Sequence, residues 1–199
     1  SEKMLKIMEK KVKLEDNFKA MKWITETGLH TTIQLVLAMP GEDNATIKET
    51  ADFAAYGATL KEDKNPLDVS INYAQALPGT ALYEYARSKG LIGQSVDEEE
   101  KYLIAISDRD ASDEATTLGL TEYPRLITEC WRPYIIVKAA TAYIEKYGKK
   151  SYNEQLLKSQ YFSQSDNETD VHAEGIHDNS KDTGYFNYPK EKRSESQKH

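Results

Sequence analysis

Apolar positions in the opening stretch SEKMLKIMEKKVKLEDNFKAMKWITETG fall at helical spacings. Met4, Leu5 and Met8 can share one face of a short first helix. Leu14, Phe18, Met21 and Ile24 mark a second, and Gly28 stands where that helix would end. The pattern then changes. HTTIQLVLAM carries a nearly continuous apolar run through Ile33, Leu35, Val36 and Leu37, as expected of a strand covered on both faces of a parallel sheet. After Pro40-Gly41, Asp43 or Asn44 can cap a helix that runs to about Tyr56 with Ile47, Ala51 and Ala54 inside, and Gly57 is placed to end it. Following the charged loop ATLKEDKNP, LDVSINYAQAL alternates Val69, Ile71 and Tyr73 with polar partners and predicts a second strand. It too closes on Pro-Gly, in LPGT, and a helix ALYEYARSKG follows, with Gly90 at its far end. Strand, Pro-Gly turn and helix thus occur twice. Two such units imply an α/β fold with a parallel sheet, closed or open, which two strands do not complete by themselves.

Beyond Ser95 the periodicity is helical. Ser95 and Glu98 have capping-box spacing ahead of EKYLIAIS, and RDASDEATTLG reads as a surface connection. TEYPRLITECWRPYIIVKAATAYIEKYG predicts a long helical stretch with Leu126, Ile127, Trp131, Tyr134, Ile135 and Val137 as core candidates, kinked or divided at Pro133. From residue 160 to 199 aliphatic residues nearly vanish, and a disordered polar tail is expected. The expected organisation is therefore two βα units over 1–94, a helical region over 95–159 and the tail over 160–199.

Composition agrees with a globular part diluted by a polar one: 39% of the 199 residues are hydrophobic and 30% charged. A net charge of -7 argues against a nucleic-acid footprint, and Lys10-Lys11 and Lys149-Lys150 read as solvated helix surface. Cys130 is the only cysteine, so the chain can make no internal disulfide and cannot supply the thiolates of an iron–sulfur cube. With no visible secretory signal the cytoplasm is the expected compartment, and no apolar run approaches the ~20 residues of a membrane span.

The strand ends are the candidate chemistry. Parallel barrels place ligand loops at the carboxyl ends of their strands. In LAMPGED, Gly41 permits unusual backbone angles and Pro40 stiffens the approach, which suits a ligand contact. Yet Glu42 or Asp43 would also suit the positive end of the following helix with no ligand at all. Asn72 and Gln75 at the second strand end can face a ligand or be ordinary strand-end polarity; Pro78-Gly79-Thr80 reads as a turn and cap. Cys130 beside Trp131 reads as a core residue rather than a nucleophile. His172 and His177, with Asp170, Glu174 and Asp178, have the look of a metal cluster, but solvated polar sequence accounts for them, and no metal site is assigned. YFSQ and GYFNYP are candidate docking segments, and no catalytic residue is assigned.

Three segments, in order, carry a family resemblance: Met4-Leu5-Lys6-Ile7-Met8-Glu9-Lys10, then Met39-Pro40-Gly41-Glu42, then Pro78-Gly79-Thr80-Ala81-Leu82-Tyr83-Glu84 with Gly90-Leu91-Ile92. Together they resemble the second half of a radical S-adenosylmethionine (radical SAM) barrel, in particular its cobalamin-binding subgroup, over about residues 1–92. Where that family usually has Gly, this chain has Ala38. The resemblance implies an incomplete (β/α) barrel, the last βα units of a partial TIM barrel, followed by the helical region and tail. It implies reductive cleavage of S-adenosylmethionine at a 4Fe–4S cluster whose Cys-x3-Cys-x2-Cys loop lies upstream of Ser1, with cobalamin as a further cofactor. It also implies a reductant such as flavodoxin or ferredoxin and a small-molecule or lipid-like substrate. Carried onto this sequence, the S-adenosylmethionine contacts are Ala38, Pro40, Gly41 and Glu42 on the first strand end and Tyr73, Gln75 and Leu77 on the second, the latter against the adenine. The chain alone is then expected to be inactive. The rival expectation is a non-catalytic α/β binding or interaction protein derived from a truncated barrel.

Overall fold

The computed structural model describes residues 1–107 and 118–164, with side chains to residue 158. These form a mixed α/β structure, mostly helical, with one two-stranded parallel sheet. The chain divides into two units, Ser1–Asn153 and Glu154–His199. The second contributes only helical residues 154–164 to the description.

In the first unit, α1 (Glu2–Ile7) and α2 (Leu14–Glu26) lead into β1 (Ile33–Leu37), and α3 (Asn44–Ala58) returns the chain to β2 (Val69–Tyr73). The strands pair in parallel from Ile33↔Val69 to Leu37↔Tyr73. Then come α4 (Ala81–Ser88), α5 (Val96–Ser107) and α6 (Arg125–Gln164).

Local chemistry explains the helix starts. Asp43 caps α3: its Oδ1 accepts from the Ala45 and Thr46 N–H groups at 2.9 Å each, and Thr46 Oγ1 accepts from Asp43 N–H at 2.9 Å. Thr80 Oγ1 accepts from Tyr83 N–H at the start of α4. The Ser95–Glu98 box also forms, with Glu98 Oε2 accepting from Ser95 N–H at 3.2 Å and Ser95 Oγ accepting from Glu98 N–H at 3.4 Å. Gly57 does not end α3, which runs to Ala58. The glycine serves close packing instead, since a Cβ there would lie 2.4 Å from Ile33 Cδ1.

Two faces make the main core. Ile47, Ala51, Ala54 and Ala58 of α3 meet Leu37, Ile71 and Tyr73 of the sheet, and α6 adds Trp131, Ile135, Ala139 and Tyr143 at four-residue intervals. Several expectations for α6 are corrected here. Leu126 (72% exposed), Ile127, Tyr134 and Val137 (62%) lie outward, because the buried stripe passes through 131, 135, 139 and 143. Cys130 is exposed rather than core. Pro133 lies within α6, and the non-helical residue is Gly148, at φ 89° and ψ 155°, which glycine adopts without a Cβ clash. Beyond Gly148 the helical residues continue to Gln164.

Among the described residues, the two faces of β1 are covered unequally. Ile33, Leu35 and Leu37 face the helices, whereas Val36 is 43% exposed and Gln34 is exposed beside it. The apolar run of β1 therefore has, among the described residues, one uncovered face, where both were expected to be buried. A smaller cluster joins Ala74, Ala76, Tyr83, Ala86, Ile92 and Leu120, and Tyr102 of α5 donates its O–H to Ala76 O at 2.9 Å. The histidine-containing segment 170–178 and GYFNYP lie outside the described residues, as does most of RDASDEATTLG. No described helix is long and apolar enough to cross a membrane.

Candidate functional site

The carboxyl ends of β1 and β2 lie side by side. Leu37 O accepts from Ala74 N–H at 2.8 Å, and the chain then leaves the sheet. The departure is made at Ala38, which is buried and has φ 62°, in the left-handed region that favours glycine. A turn follows, with Glu42 N–H donating to Met39 O at 3.1 Å. Gly41 (φ 78°) suits its backbone angle, and a Cβ there would lie 2.8 Å from Cδ1 of the partly exposed Ile7 side chain of α1.

That turn directs two adjacent carboxylates to different places. Asp43 caps α3 and pairs with Lys3 of α1 at 2.6 Å. The Lys3 hydrogen bond, followed by that from the Thr46 N–H, holds its carboxyl below the ordinary range. Glu42 points inward and is 4% exposed. Its Oε2 accepts from the Met39 N–H at 3.3 Å. Burial pushes this carboxyl up to about 7, against the opposing pull of the Ala38 and Met39 N–H groups. Sequence reasoning left open which acid serves the helix; Asp43 does. Glu42 is a buried acid poised near neutrality at a strand end, the environment in which protonation can respond to a bound group.

On β2, Tyr73 is buried in the main core, so its ring lies on the helix-covered side of the sheet. Ala74 and Ala76 are buried beyond it, and Leu77 is about half exposed. Gln75 is partly buried, and its Nε2 is a buried donor with no hydrogen-bond partner among the described residues. Such an atom is expensive to leave unpaired. Of the seven residues assigned from the sequence, Ala38, Pro40, Gly41 and Glu42 form one continuous turn. Tyr73, Gln75 and Leu77 occupy the adjacent strand end, with the Tyr73 side chain turned into the core.

Sequence reasoning passed over a second polar group at the opposite end of the sheet. Asp68 accepts from Thr32 Oγ1 at 2.7 Å and stands 3.6 Å from His30 Nε2. Burial lowers the pKa of Lys64 nearby, partly offset by the Asp68 charge. A polar, charged loop sequence gave no cue to it. It lies at the amino end of β2, the end that parallel barrels use for stability rather than ligands.

The residues at the carboxyl ends can contact a ligand through small side chains, turn backbone, the Gln75 amide and the Glu42 carboxyl. They do not fit an iron–sulfur cluster, since the chain's one cysteine is exposed on α6. Among the described residues no group of three His, Cys, Asp or Glu side chains is arranged to hold a metal ion. No protein-family model matches this chain, and neither the curated proteins nor the solved structures contain a significant match.

Proposed function

We propose that the chain is a C-terminal portion of a radical SAM enzyme of the cobalamin-binding type, supplying two βα units and part of the S-adenosylmethionine pocket. The observation that carries this reading is the meeting of two of the three resembling segments. Ile7 of the MLKIMEK segment lies against Gly41 of the MPGE segment, and Lys3 of α1 pairs with Asp43. Segments matched separately in sequence thus pack together around one strand end. The uncovered face of β1, with Gln34 and Val36, is in keeping with a barrel interior that further strands would line.

In this reading the turn from Ala38 to Glu42 lies along S-adenosylmethionine. Ala38 sets the direction in which the chain leaves the sheet, and Gly41 keeps the turn free of side-chain bulk. Glu42 offers a carboxyl that can hold or release a proton near neutral pH as a charged group binds beside it. Gln75 and the backbone to Leu77 lie against the adenine, and the Gln75 Nε2 gains there the acceptor it otherwise lacks. The 4Fe–4S cluster and cobalamin, held by residues outside this chain, supply the electron and the radical chemistry; the residues here bind and orient. Flavodoxin or ferredoxin serves as reductant, and the substrate is a small or lipid-like molecule.

The chain alone then lacks activity. Residues 1–199, treated anaerobically with iron, sulfide and dithionite, are expected to release no 5′-deoxyadenosine from S-adenosylmethionine. Release above the protein-free control would overturn the assignment of the cluster loop to another part of the polypeptide.

A further inference from the structure

No further inference is drawn: the strongest candidate, the outward apolar face of α6 formed by Leu126, Ile127, Cys130, Tyr134 and Val137, is an unpartnered surface patch among the described residues, and nothing in the structure shows what covers it.

Discussion

Replacing Glu42 with glutamine removes one titratable group from the turn after β1 while keeping its shape and its acceptor for the Met39 N–H. The magnitude follows from burial. The carboxyl ordinarily titrates at 4.5 and is raised to about 7 in the folded protein. The folded state therefore binds this proton more tightly than the unfolded state does. The stability this provides is fully present below pH 4.5 and is lost as the pH rises through about 7. At ~1.4 kcal/mol per pH unit of that gap, the wild-type chain forfeits roughly 3 kcal/mol between pH 4.5 and pH 8. With Glu42 only 4% exposed, solvent does little to screen the effect. Glutamine cannot ionise. Unfolding free energies of wild type and Glu42→Gln should lie close together near pH 4.5 and separate by up to ~3 kcal/mol at pH 8, the variant being the more stable. Urea titrations at half-unit pH steps measure this. Trp131 supplies the fluorescence signal: it is buried in the main core, and its Nε1 donates to Asn44 Oδ1 at 2.9 Å beside the α3 cap. If both proteins show the same pH dependence to within about 0.5 kcal/mol, Glu42 is not a buried acid, and the stated geometry of the turn is wrong.

Two other substitutions test the same strand end and its packing. At Ala38, glycine relieves a left-handed strain of about 1–2 kcal/mol but loses a buried methyl worth about 0.8 kcal/mol and frees the unfolded chain, so Ala38→Gly should fall within ~1 kcal/mol of wild type. Ala38→Val adds β-branching at that angle and should cost more than ~2 kcal/mol by urea unfolding; a neutral valine would mean that the backbone at 38 is not left-handed. Gly57→Ala gains helix propensity of about 1 kcal/mol yet drives a methyl into Ile33. The clash should win and lower the melting temperature, for a net cost of about 1–2 kcal/mol, and a higher melting temperature would contradict the close approach of α3 to β1.

What the sequence disclosed and what it hid divide along physical lines. Helix caps at Thr80 and Ser95–Glu98 rest on chemistry within three residues of each other, so spacing alone located them, whereas before α3 it left Asp43 and Asn44 both open. The strands were equally readable, one from its apolar run and the other from its alternation, each followed by Pro-Gly. The face of α6 was not readable. That helix carries apolar residues nearly all round, and only the tertiary partner decides that Ala139 and Tyr143 go inside while Leu126 and Val137 stay out. Gly57 was misread for a related reason: a glycine near a helix end serves a terminus or a close contact, and the contact lies on another element. Glu42 shows the limit most clearly. A glutamate after a turn is ordinarily exposed. The one signal against that was a second acid next to it, since a helix start needs only one cap. The left-handed angle at Ala38 had no cue in the residue itself, since alanine ordinarily avoids that region.

The most direct measurement is the nucleotide sequence of the transcript upstream of the codon for Ser1. A continuous reading frame encoding four further βα units, with a Cys-x3-Cys-x2-Cys loop after the first strand, is the expected result. A start codon close to Ser1 with no such loop would contradict the radical SAM assignment and leave a truncated α/β binding protein in its place.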